Sequence, residues 1–195
     1  EAERAVAAGW AAGMALIGCN AFYIVGPRND PAAIASASDA AEAYRRIAAA
    51  RAPFVSRGDN SGTHQKEMQL WARLGLRPDA DADADAWYIV NRDFMSACLA
   101  RANALGAYFM TDSSTWLVER QAAPALQILL RDDPALLNVY HALLAPPGAT
   151  QQQRMAQRFA DFVAGAEGQR IIATYGVAEF GAPLYRDAEY ARRFE

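Results

Sequence analysis

Lysine is nearly missing from this chain: Lys66 is the sole lysine among 19 basic residues, and the rest are arginines. With a net charge of −3 and a pI near 5.5, there is no basic field able to neutralise a run of phosphates. That excludes general nucleic-acid binding. Histidine and cysteine occur only twice each. His64, His141, Cys19 and Cys98 nowhere take a ligand spacing, and neither histidine forms one with Asp59, so no metal site is legible. Cys19 and Cys98 read equally as buried thiols or as a disulfide in an oxidising compartment. No apolar run reaches the roughly 18 residues of a membrane span, so no direct membrane insertion is expected. The stretch Glu1 to Met14 also lacks the basic start and apolar centre of an export signal.

Catalytic and nucleotide motifs are lacking too. There is no Gly-x-Ser-x-Gly elbow, and Ser61 with His64 reads as a helix cap beside one histidine, so the chain is not read as an enzyme. A phosphate loop would need Gly-Lys-Ser or Gly-Lys-Thr after a spaced glycine, and no such run exists. The alternating aspartates from Asp79 to Ala86 have Ala84 and Val90 where a calcium loop requires glycine and glutamate, so they read as a solvated acidic loop. The tripeptide Arg57-Gly58-Asp59 is too short to carry an adhesion reading.

What remains is a chain of 195 residues, 53% hydrophobic, with a mean hydropathy of −0.10, enough to bury one good core or two small ones. Helical and strand patterns alternate, which argues for an α/β fold. Helices are expected over Glu1 to Ala12, Asp39 to Ala50, Gln65 to Gly75, Arg92 to Leu105, Asp112 to Gln121, Thr150 to Ala164 and Gly168 to Tyr175. Strands are expected over Ala15 to Val25, Ala107 to Thr111, Ala125 to Leu130 and Val139 to Ala145, with Ala52 to Val55 as a short apolar lead-in to a glycine turn.

That lead-in opens on the most informative run, Ser56-Arg57-Gly58-Asp59-Asn60-Ser61-Gly62-Thr63-His64. Gly58 and Gly62 permit a positive φ or a close ligand approach. The helix that follows offers unpaired N–H groups and the positive end of its dipole, with the hydroxyls of Ser61 and Thr63 in front. Arg57 adds a forked, permanently charged donor set. Nearly every free group is a donor, so the run reads as an anion socket. Its plainer reading is a capped helix with Arg57 paired to Asp59.

The segment Phe54 to Trp71, FVSRGDNSGTHQKEMQLW, resembles the central motif of tungstate-binding proteins of bacterial ABC importers, a family of type II periplasmic binding proteins. Asn20 to Pro31, Gly106 to Leu117, Asn138 to Pro146 and Gly168 to Tyr185 match in the same order. The resemblance implies two α/β lobes. Residues 1–27 would be part of the first lobe and the first crossover strand, 28–136 the second lobe, and 137–195 the return crossover and the rest of the first. It also implies a strand and a Thr- and Ser-rich loop ahead of Glu1 that would complete the first lobe. The chain departs from the family at Asn20-Ala21-Phe22 and at Thr111-Asp112-Ser113.

Carried over by motif, the implied ligand-binding residues are Arg57, Ser56, Ser61, Gly62, Thr63 and Asp59, together with Thr111 and Ser113, which helix capping explains equally well. The implied ligand is tungstate or molybdate, with no cofactor and no metal. The implied partner is the membrane permease of an ABC importer, and the setting is a monomer in the periplasm or cell envelope. Donor-only recognition of a full dianion predicts an affinity nearly flat between about pH 6 and 8. Phosphate or sulfate binding in the same fold is the alternative, Asp59 then accepting the phosphate proton. A further alternative is the oxyanion-sensing domain of a transcription regulator.

Overall fold

The computed structural model describes residues 2–145 and 150–194; Glu1 and Pro146, which bound two expected segments, lie outside the described residues. The chain divides into two compact units, Glu1–Asn20 with Leu137–Glu195, and Ala21–Leu136. Helix α1 is Ala2–Ala7 and strand β1 is Gly13–Pro27. The helix is shorter than expected because Gly9 takes a φ of 76° and breaks it.

The second unit continues with α2 (Ala40–Ala50), β2 (Phe54–Ser56), α3 (Gly62–Arg73), β3 (Tyr88–Val90), α4 (Met95–Leu105), β4 (Tyr108–Asp112), α5 (Ser113–Glu119) and β5 (Leu126–Leu130). The sheet order is β3-β2-β4-β1-β5. Strands β3, β2 and β4 run parallel, while β1 is antiparallel to β4 and to β5. Consecutive residues of each strand supply opposite faces, as the period of two requires. Phe54, Tyr108, Met110, Phe22 and Ile24 pack with Tyr44 and Ile47 of α2 and Leu70 and Trp71 of α3. Val55, Phe109 and Val25 pack on the other face with Cys98, Leu99 and Ala102 of α4 and Trp116 of α5. Trp71 is fully buried among Tyr44, Phe54, Trp87 and Tyr88, with ring centroids 4.4 to 6.4 Å away. A large side chain so placed contributes about 1.5–3 kcal/mol through burial alone.

Helix α3 begins at Gly62 rather than Gln65, because Ser61 is its N-cap, and two further readings of this unit need correction. Strand β3 was not legible, because three apolar residues after an acidic loop carry no period of their own. Helix α4 begins at Met95 rather than Arg92, since Arg92 sits at a φ of 48° and Phe94 is the extended N-cap.

The first unit carries the start of β1, β6 (Leu137–Leu144), α6 (Gln151–Ala164), α7 (Ala166–Thr174), α8 (Val177–Phe180), β7 (Arg186–Asp187) and α9 (Ala188–Ala191). Both β6 and β7 pair with β1. Thr150 and Gln153 form a reciprocal capping box at the start of α6. Gln169 of α7 ties the unit together, donating to the Ile17 carbonyl at 2.9 Å and accepting from the Ala188 N–H at 2.6 Å. Cys19 is a buried thiol of this unit, and Cys98 is a buried thiol of the second unit.

Candidate anion site

In the second unit β2 and β4 are parallel neighbours, so the turns that follow them emerge at one edge of the sheet. One leads into α3 and the other into α5, and both helices therefore begin at the carboxyl ends of the parallel strands. In open α/β sheets ligands bind outside that edge. The antiparallel β1 enters the sheet there, Phe22 opposite Asp112.

The loop from β2 to α3 is held by its own groups. Gly58 has a φ of 58°, and a Cβ on it would lie 2.3 Å from Cγ1 of Val90, so only glycine fits. Asn60 is also left-handed, at 59°. Its N–H donates to Nδ1 of His64 at 3.0 Å, and its carbonyl accepts from Nε2 of Gln65 at 3.0 Å. Ser61 is the N-cap of α3, its hydroxyl accepting from the His64 N–H at 3.4 Å. The Gly62 and Thr63 N–H groups open the helix and have no intrahelical acceptor. A Cβ on Gly62 would meet nothing within 4 Å, so the backbone is open on that side.

Arg57 is paired with Asp59, as the plainer reading of the run has it. Its Nε donates to Oδ2 of Asp59 at 3.1 Å and its Nη2 to the same oxygen, leaving 13% of the arginine side chain exposed. Both Nη1 hydrogens and one on Nη2 are not used in this pair. Oδ1 of Asp59 accepts from the Ser61 N–H at 3.0 Å. Burial works against ionisation of Asp59, but Ser61 and Arg57 outweigh it and hold the carboxyl below its usual value. A carboxylate so engaged is poorly placed to accept a phosphate proton. Burial lowers the basicity of His64, the Arg57 charge adding to this and the Asp59 charge opposing it. The Nδ1 lone pair is taken by the Asn60 N–H and is not directed at the Ser61 hydroxyl.

Ser56 does not face the socket. It is fully buried, and its hydroxyl donates to Oε2 of Glu67 at 2.9 Å. Its place in the site is as a support, because its oxygen also accepts the Gly58 N–H at 3.2 Å. Thr111 is likewise buried, its hydroxyl directed at the Asp112 carbonyl at 3.4 Å. Ser113 lies at the start of α5, where its oxygen accepts the Ala21 N–H at 3.3 Å. Asp112 caps that helix through the Thr115 N–H at 2.8 Å and hydroxyl at 2.7 Å. The structure thus gathers Arg57, Asp59, Ser61, Gly62 and Thr63 in one loop and helix start, with Thr111 and Ser113 along the same edge.

Sequence reasoning missed Glu67. It is 2% exposed, directly behind the loop, and Oε1 accepts from Oη of Tyr88 at 2.6 Å and Nε1 of Trp71 at 3.2 Å. Burial pushes its carboxyl up to about 7, against hydrogen bonds from Tyr88, Ser56 and Trp71 that favour the ionised form; the charge of Asp59 raises it further. The signal was available, since Thr63, Glu67, Leu70 and Trp71 share one buried helical face and a charge on such a face demands partners.

The geometry therefore offers a donor-rich helix start flanked by an arginine. Among the described residues, no group of three or more His, Cys, Asp or Glu could hold a metal ion, and no helix is long and apolar enough to cross a membrane. Residues 1–167 match the model of the PBP superfamily domain. The chain belongs to the PBP superfamily. It is 32% identical over 170 residues to the tungstate-binding protein TupA of Peptoclostridium acidaminophilum, covering 85% of this chain and 57% of that one. The crystal structure of the tungstate ABC transporter from Geobacter sulfurreducens is 36% identical, with a TM-score of 0.73 over 89% of this chain and 72% of that one. The tungstate-binding protein TupA from Desulfovibrio alaskensis G20 is 32% identical, with a TM-score of 0.77 over 95% of this chain and 74% of that one. These neighbours share the type II periplasmic-binding-protein fold. The chain spans about half the length of the curated relatives it matches.

Proposed function

We propose that this PBP-superfamily chain captures a tetrahedral oxyanion, tungstate or molybdate, for an ABC importer in the cell envelope. The observation that carries the reading is the donor-rich start of α3 flanked by Arg57, in a chain that matches tungstate-binding relatives over most of its length. In this reading the anion lies against the N–H groups of Gly62 and Thr63 and the hydroxyls of Ser61 and Thr63. Arg57 contributes its remaining N–H groups while Asp59 holds the guanidinium in place. Thr111 and Ser113 border the same edge. The dipole of α3 and the arginine charge offset the desolvation of the dianion, and no covalent step is involved. The partner that takes delivery is the importer's permease.

Calorimetric titration of the purified protein with tungstate, molybdate, sulfate and phosphate tests this reading. Tungstate and molybdate should bind well ahead of the other two, because the one carboxylate of the loop, Asp59, is engaged by Arg57 and the Ser61 N–H and is not placed to accept a retained proton. If phosphate wins in direct competition, the phosphate reading replaces this one, with Asp59 released from Arg57 to accept the proton.

A further inference from the structure

Glu67 lies behind the candidate anion site, and capture of an oxyanion by arginine, hydroxyls and N–H groups has no use for it. Its carboxylate accepts from Tyr88 of β3, Trp71 of its own helix and Ser56 of β2. The Ser56 oxygen also accepts the Gly58 N–H, so a single hydroxyl joins the buried acid to the loop that carries Arg57. Along α3, Glu67 is about 7.5 Å beyond Gly62 at 1.5 Å per residue.

We propose that an oxyanion held at the start of α3 is captured together with a proton, which Glu67 takes up from the solvent. The proposal rests on the reading of that start as an oxyanion site. The groups facing Glu67 are Ser56, Tyr88, Trp71, Tyr44 of α2 and the Asp59 charge of the loop, and none of these is a cation. The nearby arginine is already paired with Asp59. A dianion roughly 8–10 Å away, at an effective dielectric of about 20, raises the proton affinity of a carboxylate by roughly several hundredfold. Protonation breaks no contact. The new O–H on Oε2 donates to the Ser56 oxygen, reversing the present bond, and Ser56 keeps the Gly58 N–H while its own hydrogen turns to Oη of Tyr88, which is also within its hydrogen-bonding reach.

Burial holds the carboxyl near 7 before any anion arrives, so its occupancy changes around neutral pH. The expected consequences differ from the flat profile that donor-only recognition predicts. Affinity for tungstate falls about tenfold from pH 6 to pH 8, and proton uptake per anion rises from about a tenth at pH 6 to nearly one at pH 8.

The test is titration of the purified protein with sodium tungstate in two buffers of different protonation enthalpy at pH 6, 7 and 8. Glu67→Gln should bind tungstate with no proton uptake and a flat pH profile. Infrared difference spectra of the unaltered protein at pH 8 give a second measurement that needs no folded variant: a protonated-carboxyl band should appear on adding tungstate. Tungstate binding without proton uptake, or without that band, overturns the coupling and leaves the anion site standing. Uptake unchanged in a folded Glu67→Gln protein overturns the assignment to Glu67. Failure to bind any oxyanion overturns the site and the coupling together.

Discussion

Replacing Arg57 by alanine removes three things that the structure allows to be weighed separately. The first is up to two charge-assisted hydrogen bonds to the anion, each about 1.5–3 kcal/mol, which alone amounts to a hundredfold or more in affinity. The second is the partner of Asp59, whose Oδ2 takes both Nε and Nη2 of the arginine; without them a carboxylate is left beside the incoming dianion and weakens binding further. The third is structural and small. A partly exposed ion pair is worth about 0–1 kcal/mol, or about 2–4 °C in melting temperature at most for a chain of this size. Arg57→Ala should therefore bind tungstate at least about a hundredfold more weakly in calorimetry while melting within a few degrees of the unaltered protein. Arg57→Lys should recover only part of the loss, since a point charge replaces the fork. Adding Asp59→Asn to Arg57→Ala should restore the portion due to the stranded carboxylate. If Arg57→Ala binds within threefold of the original, the arginine is only the structural partner of Asp59, and the anion lies elsewhere.

Gly58→Ala forces a Cβ to within 2.3 Å of Val90 at a positive φ, so denaturant unfolding should show a loss of roughly 1–3 kcal/mol, with tungstate affinity falling as the loop shifts. Asp112→Ala removes the cap of α5 and should cost about 1 kcal/mol by the same measurement, with little effect if the anion contacts no group of that helix start. Glu67 gives a pH signature in stability. Its folded carboxyl is raised from 4.5 to about 7, so it contributes stability that is full below the unfolded value and lost as pH rises through the folded one. From pH 5 to pH 8 that loss is on the order of 2.5 kcal/mol. Glu67→Gln should lack it, so the stability difference between the two proteins should change by that amount across the range. An unchanged difference would mean that Glu67 titrates normally.

Much of the second unit was legible because its cues are local. The short unbroken apolar run Ala107 to Met110 and the helical stripe of α2 mark elements by their own residues, and Asp39 and Asp112 mark helix starts by caps that reach only three residues ahead. Short strand β3 was invisible for the converse reason. Its identity as a strand comes from pairing with β2, which lies more than thirty residues earlier, with Phe54 opposite Tyr88.

The candidate site divides along the same line. The sequence alone determined that glycines, hydroxyls and an arginine would meet at a strand-to-helix junction, because backbone freedom, capping and charge type belong to the residues themselves. Tertiary structure decided what each group does there. Ser56 turns inward because a buried carboxylate eleven residues on needs a donor, and Arg57 is not free because the loop places Asp59 beside it. The proton affinity of Glu67 is decided in the same way: Tyr88 and Trp71 close over it and exclude water, and the free energy of a charge depends on the dielectric and dipoles around it. Those surroundings come from four different segments of the chain, and only folding brings them together.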